Sequence, residues 1–110
     1  MLEVKRMKES VIQKAILDYL ELLSRTEPIY YFRAGAGAIR MSNGRYFKTG
    51  RPGCPDIIVC DRGSFRGIEI KTKTGRQSQA QKQAEKDINA AYGSYHIVRS
   101  VADVKRIFED

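Results

Sequence analysis

The order of patterns along the chain predicts an α/β fold in which a mixed β-sheet is flanked by helices. Three observations lead to it: an amphipathic segment near the start, short runs of β-forming residues in the middle, and a helix, a strand and a helix at the end. Burying a sheet under helices is a common solution for such an order. At 110 residues the chain suits one modest core, so we expect a single domain over residues 1–110.

The first element is predicted to be an amphipathic helix from Ser10 to Leu23. Its apolar residues recur at helical spacing; they are Ile12, Ile16, Tyr19, Leu20 and Leu23. Ser10 and Gln13 have the spacing of a capping box, in which each side chain bonds the other residue's backbone N–H. Glu9 lies at the helix start, where a negative charge favours the helix dipole even without a further role.

Runs of β-forming residues predict strands in the middle of the chain, the first of them at Ile29–Phe32. Asn43-Gly44 is a hairpin signal between Ile39–Met41 and Arg45–Phe47. This hairpin carries cations beside aromatic residues, a combination that can grip phosphates and stack on exposed bases.

A second hairpin is predicted with its turn at Arg62-Gly63. Two apolar runs form its strands: Ile57–Cys60 and Arg66–Ile70. In that register residue 56 lies opposite residue 69, and with a loop two residues longer it lies opposite residue 71. Paired residues project to the same side, so in both registers Asp56 shares a sheet face with Glu69 and Lys71. An odd loop length without a compensating bulge would break this arrangement.

The last third of the chain is predicted to hold a helix, a strand and a short helix. The first of these helices begins at Ser78, has Gln81 at capping-box spacing, and ends just before the strand Gly93–Val98. Ser100 is expected to cap the final helix.

Positive charge is concentrated in one part of the sequence. The net charge of the chain is +7, and the segment 33–82 alone holds eleven Lys and Arg against three Asp and Glu. A basic surface around paired carboxylates fits a nucleic-acid partner, whose affinity comes largely from neutralised phosphates. The alternative is a solvated basic face without a partner. The cations predicted to contact nucleic acid are Arg33, Arg40, Arg45, Lys48, Arg51, Lys73 and Arg76.

Composition excludes several other classes of protein. An apolar fraction of 42% and a charged fraction of 30% suit a soluble globular domain. No apolar run approaches the roughly 20 residues needed to span a bilayer, so we expect no membrane association. The first residues lack the apolar stretch of a secretory signal, and the cytoplasm is the expected location.

Asp56, Glu69 and Lys71 together predict a site for phosphodiester chemistry. Two neighbouring carboxylates repel each other, and a hard cation such as Mg²⁺ relieves that repulsion. Asp56 and Glu69 would hold the metal, the carbonyl of Ile70 could add a ligand, and Lys71 would position the attacking water or stabilise the phosphate. The alternative is an ordinary surface strand with a same-face Glu–Lys pair beside a turn.

Pro55-Asp56 followed by Glu69-Ile70-Lys71 resembles the signature of the PD-(D/E)xK nuclease superfamily. Further segments are similar to the VRR-NUC branch of that superfamily; they are Glu9–Gln13, Gly53–Ile57, Ile68–Thr72, Gly75-Arg76 and Gln81. The resemblance covers nearly the whole chain, from about Glu9 to Val104, with the motifs in order. It implies a restriction-endonuclease-like fold.

The resemblance also implies a function: a DNA endonuclease dependent on Mg²⁺, with Mn²⁺ also supporting activity. Asp56, Glu69 and Lys71 would be catalytic, Glu9 would assist in metal binding, and Gln81 would support the site or contact phosphate. Stand-alone members of this size are similar to phage and bacterial enzymes that act as homodimers on four-way DNA junctions. Two alternatives stay open: a nuclease for flaps, ends or single strands, and a nucleic-acid-binding module that has lost catalysis.

Overall fold

The computed structural model describes residues 8–35 and 37–109; within the second range, the side chains of 37–39, 48 and 49 are not described. The helices are α1 (Glu9–Ser24), α2 (Gln79–Ala90) and α3 (Val101–Phe108). The strands are β1 (Ile29–Arg33), β2 (Gly37–Arg40), β3 (Tyr46–Thr49), β4 (Ile57–Asp61), β5 (Ser64–Ile70) and β6 (Ser94–Val98). The predicted α/β class, a mixed sheet flanked by helices, is confirmed.

The main sheet has four strands in the order β1-β4-β5-β6. β4 is antiparallel to both β1 and β5, whereas β6 is parallel to β5. Arg62 and Gly63 join β4 to β5 with φ values of 51° and 87°, as a two-residue hairpin turn with two left-handed positions requires. Because Ile57 pairs with Ile68, the first of the two predicted registers is confirmed.

The hydrophobic core lies between one face of this sheet and the helices α1 and α3. Its fully buried side chains are Ile16, Leu20, Ile57, Val59, Ile68, Ile70, Val98 and Val104. Each such side chain contributes about 1.5–3 kcal/mol through removal of apolar surface from water. Since alternate residues of a strand point to opposite faces, Glu69 between Ile68 and Ile70 must point away from this core, toward α2.

The helix starts were predicted with mixed success. α1 begins at Glu9 with Lys8 as its N-cap and no side-chain cap, so the predicted capping box of Ser10 and Gln13 is wrong. Ser10 already lies inside the first turn, because the helix starts one residue earlier than predicted. The box at α2 is confirmed: Ser78 Oγ accepts from Gln81 N at 3.2 Å, and Gln81 Oε1 accepts from Ser78 N at 2.8 Å.

The predicted hairpin around Asn43-Gly44 forms a sheet of its own, which we call the ribbon (residues 37–49). Gly44 adopts φ 83°, and its N–H donates to Met41 O at 2.9 Å. The side chain of Asn43 accepts a hydrogen bond from Arg45 N at 2.9 Å. The turn is therefore fixed by local chemistry, as the sequence predicts.

Candidate active site

Asp56 and Glu69 lie together on the sheet face that points toward α2. Asp56 directly precedes β4, and the register of β4 with β5 places it opposite Glu69. Asp56 Oδ2 accepts a hydrogen bond from Ile70 N at 2.8 Å, and the Glu69 carboxyl lies within hydrogen-bonding reach of Asp56. Glu69 is only 2% exposed. The two carboxylates predicted to hold the metal thus form a hydrogen-bonded pair, in which Glu69 is buried and Asp56 is half-buried.

The environment of Glu69 strongly favours its neutral form. Burial raises the pKa of the Glu69 carboxyl from its ordinary 4.5 to about 9, and the hydrogen bond and negative charge of Asp56 act in the same direction. The charge of Glu9 raises this pKa further, whereas Lys71 lowers it. Positive charge from Lys71 therefore does not offset burial. Additional positive charge entering the site would lower the pKa of the Glu69 carboxyl again.

Gln81 connects the start of α2 to the carboxyl pair. Its Nε2 donates to Glu69 Oε1 at 3.0 Å, while its Oε1 completes the capping box at Ser78. The two roles predicted for Gln81, as a helix cap and as support for the site, are compatible because opposite ends of one amide serve them. Gly53 holds this helix end against the loop that precedes Asp56, since a β-carbon there would lie 2.1 Å from Ala80 O.

Three further predicted site residues surround this pair. Lys71 directly follows β5, is half-buried, and its backbone N–H donates to Val98 O at 3.0 Å. The Ile70 side chain points into the core, while its N–H binds Asp56. Glu9 is exposed in the first turn of α1, where its charge still reaches Glu69.

The structure does not bring Glu9 into one cluster with the carboxyl pair. Among the described residues, no three His, Cys, Asp or Glu side chains lie close enough together to form a metal site. A cation at this position would therefore rely on Asp56 and Glu69, with the remaining ligands coming from backbone oxygen, substrate or water. Mg²⁺ accepts such a sparse protein ligand set, because it usually keeps several waters.

The predicted nucleic-acid contacts lie around the same end of the sheet. Arg33 ends β1 and pairs with Ile57, next to Asp56, while Lys73 and Arg76 lie in the loop after β5. The described cations of the predicted set are exposed and form no ion pair within residues 8–35 and 37–109; they are Arg33, Arg40, Arg45, Arg51, Lys73 and Arg76. The side chain of Lys48 lies outside the described residues.

Sequence reasoning missed Arg99, which fixes the loop carrying two of these cations. Its Nη1 donates to Gly75 O at 2.9 Å and to Thr72 O. Arg99 follows β6, so its proximity to the loop after β5 depends on the parallel pairing of these strands. No local sequence pattern indicates that pairing.

Tyr95 is a second residue near the site that sequence reasoning missed. It pairs with Gly67, so it projects from the same face as Glu69. Its hydroxyl is buried and has no hydrogen-bond partner among the described residues, although Gln77 lies near it. Burial and the charges of Glu69 and Glu85 raise the pKa of the Tyr95 hydroxyl well above its ordinary value. The buried side of the carboxyl pair thus contains a neutral donor without an acceptor.

Comparison of the chain with protein-family models, with curated proteins and with solved structures finds no match. The resemblance to VRR-NUC nucleases therefore stays a prediction from the motifs. Within the described part of the chain, no helix combines the length and apolar character needed to cross a bilayer.

Proposed function

We propose that this protein is a divalent-metal-dependent DNA endonuclease with a restriction-endonuclease-like fold, similar to the VRR-NUC nucleases. The observation that carries the proposal is the Asp56–Glu69 carboxyl pair, in which Glu69 is buried; the pair lies beside Lys71, at the sheet end near exposed cations that form no ion pair with any described residue. A structural role does not require two carboxylates at this position, because an amide would keep the same hydrogen bonds without a buried charge.

The donor set fits a hard cation such as Mg²⁺ or Mn²⁺, because it consists of oxygen atoms. Asp56 and Glu69 would hold the ion, with the Ile70 carbonyl as a further ligand. One oxygen of each carboxylate is already oriented, by Ile70 N–H and by the Gln81 amide, which leaves the other oxygen for the ion. Gly35 lies beside Asp56 Oδ1, since a β-carbon there would be 4.0 Å from that oxygen.

When bound, the metal ion would polarise the phosphate and lower the pKa of a water molecule. The residues of the chain would supply orientation and charge. The Lys71 ammonium would position the attacking water or stabilise negative charge on the phosphate, and Gln81 would keep Glu69 in place. The exposed cations would bind the DNA backbone on either side of the scissile bond.

Selectivity for four-way junctions and action as a homodimer follow from the family resemblance. A C2 dimer would present two equivalent sites, as symmetric nicking of a junction requires. The location expected for such an enzyme is the cytoplasm of a bacterial or phage-infected cell. The first alternative to junction selectivity is action on flaps, ends or single strands.

The test is incubation with a labelled four-way junction and a matched linear duplex in Mg²⁺, Mn²⁺ or EDTA. Lys71→Ala should abolish cleavage, whereas Lys86→Ala, an exposed cation on α2, should leave it unchanged. Metal-dependent, symmetric nicking of the junction alone supports the whole proposal. Equal cleavage of both DNAs supports the chemistry without the selectivity. A stable monomer in sedimentation at assay concentration argues against paired cleavage.

One observation favours a second candidate, a nucleic-acid-binding module without catalysis. Glu69 is 2% exposed, so its carboxyl offers little surface to an incoming cation. Metal-independent DNA binding by a folded protein that cleaves none of the DNAs would favour this candidate.

A further inference from the structure

The ribbon stands apart from the rest of the protein. Its strands β2 and β3 contact each other and no other helix or strand of the described chain. Several of its large side chains are exposed: Met41 by 48%, Tyr46 by 66% and Phe47 by 59%. An isolated two-stranded ribbon is only marginally stable in water. A ribbon with exposed aromatic rings and no internal support is therefore expected to gain its contacts from a partner.

Both ends of the ribbon lead to the candidate active site. On the entry side, Ala34 N donates to Asp56 O at 2.7 Å, and a β-carbon at Gly35 would lie 4.0 Å from Asp56 Oδ1. On the exit side, the loop 50–53 leads into Asp56, and Gly53 packs against Ala80 at the start of α2. The root of the ribbon therefore lies directly beside the carboxyl pair.

The two faces of the ribbon carry the same kinds of side chain. Arg40 pairs with Tyr46, so these two residues share one face. Phe47 is adjacent to Tyr46 in the strand and points to the other face. Arg45 lies two residues before Phe47 and shares its face, because the hydrogen bond from Met41 N–H to Arg45 O extends the strand pairing to that residue. Each face thus offers one arginine and one exposed aromatic ring. A ribbon that packs against a single partner is expected to have one apolar face in the contact and one polar face toward solvent.

The charge of this region identifies the partner as nucleic acid. The segment 33–51 holds five Lys and Arg and no Asp or Glu. Two copies of the chain meeting through their ribbons would bring six positive charges together without a counter-charge, because each ribbon holds three Lys and Arg and no Asp or Glu. Nucleic acid neutralises these charges, and base or sugar surfaces accept the aromatic rings.

We propose that the ribbon is a wedge between two arms of a branched DNA, with one face against each arm and its root beside the scissile phosphate. A linear duplex can contact one face at a time, whereas a branch point offers surfaces to both faces at once. This inference gives junction selectivity a structural origin in Arg40, Tyr46, Arg45 and Phe47. The position of the scissile phosphate in this inference rests on the proposed function, whereas the binding of branched DNA by the ribbon does not.

The test measures binding in EDTA, so that cleavage plays no part. Fluorescence anisotropy gives the affinity for a four-way junction and for a linear duplex of the same arm sequence. One variant alters each face: Arg40→Ala with Tyr46→Ala, and Arg45→Ala with Phe47→Ala. The control variant, Lys14→Ala with Arg25→Ala, removes two exposed cations, one in α1 and one at its C-cap, on the opposite side of the sheet.

Each face variant should weaken junction binding about tenfold or more, as loss of one stacking ring and one phosphate contact implies. Duplex affinity should fall about threefold or less, because the other face remains available. The slope of log affinity against log salt for the junction should decrease by about 0.9 for each arginine removed. The control variant should keep the junction preference. Unchanged thermal unfolding would verify that the variants fold, since the ribbon does not support the core.

Equal losses on junction and duplex would overturn the wedge and indicate general backbone binding or insertion into one groove. Unaltered DNA affinity with a lowered oligomeric state in sedimentation would assign the ribbon to a second copy of the chain. Absence of any junction preference in the wild type would also refute the inference. Failure of the proposed nuclease activity is a separate result, because it concerns cleavage in Mg²⁺ and leaves the binding ratios intact.

Discussion

The most direct consequence of the buried Glu69 carboxyl concerns stability as a function of pH. Glu69→Gln removes the ionisable group but keeps the shape of the side chain. Its carbonyl can still accept from Gln81, and its amide can donate to Asp56. The variant therefore isolates the free energy of ionising Glu69 from the hydrogen bonds around it. We expect the variant to be more stable than the wild type at neutral pH in EDTA.

The sign and the magnitude follow from the shifted pKa of Glu69. In the unfolded chain the carboxyl ionises around pH 4.5, whereas in the folded protein its pKa is about 9. Between these values the folded state binds more protons than the unfolded state, so wild-type stability falls as pH rises. The decrease is about 1.4 kcal/mol per pH unit, or about 3 kcal/mol at pH 7 relative to pH 4.5. This amount holds for any folded pKa well above 7.

Urea denaturation followed by circular dichroism at pH 5.5, 6.5 and 7.5 in EDTA measures this difference. The advantage of Glu69→Gln over the wild type should grow by about 1.4 kcal/mol at each step. Asp18→Asn, which breaks an exposed pair with Lys14, is the control and should change stability by about 0.5 kcal/mol or less. A Glu69→Gln advantage that stays constant across this range would refute the reasoning.

Magnesium should reverse the order of stability, so that the wild type becomes more stable than Glu69→Gln. Above its dissociation constant the ion stabilises the wild type in proportion to the logarithm of its concentration, and it leaves Glu69→Gln nearly unaffected. Thermal unfolding with and without Mg²⁺ measures this difference. Lys71→Ala should reduce single-turnover cleavage by about 10²-fold or more while DNA affinity in EDTA changes little. Gly53→Ala should lower the free energy of unfolding, measured in urea, by about 2 kcal/mol or more, because φ is 78° and Ala80 obstructs a β-carbon. Gly44→Ala is the matched variant with φ 83° and open space around the β-carbon, and it should lower the free energy of unfolding by about 1 kcal/mol. Tyr95→Phe should raise the free energy of unfolding by about 1 kcal/mol, because it removes a buried hydroxyl without a partner.

The carboxyl pair could be predicted because the hairpin that forms it is local. Arg62-Gly63 sets a two-residue turn, the turn sets the register, and the register places Asp56 opposite Glu69. The environment of that pair could not be predicted in the same way. Tyr95 and Arg99 reach it through the parallel pairing of β6 with β5, which joins segments separated by a whole helix.

The ribbon shows a different limit of sequence reasoning. Asn43-Gly44 predicted the hairpin, but nothing in its pattern distinguished a pair of strands within the main sheet from a separate arm. The alternation on its two strands gives each face a cation and an aromatic ring, and such a pattern is compatible with neither a core face nor a solvated face. The predicted cap of α1 was wrong for a simpler reason, because Ser10 lies two residues after the observed N-cap, Lys8.

The buried Glu69 carboxyl is difficult to explain by stability alone. Folded domains are stable by about 5–15 kcal/mol, so a cost of about 3 kcal/mol at neutral pH is a large part of the total. A glutamine at position 69 would avoid that cost and keep both hydrogen bonds of the side chain. A carboxylate is superior to an amide only where positive charge enters the site. Among the described residues Lys71 does not offset burial, so the proposed function requires further positive charge in the site. A divalent cation that arrives with a phosphate meets this requirement.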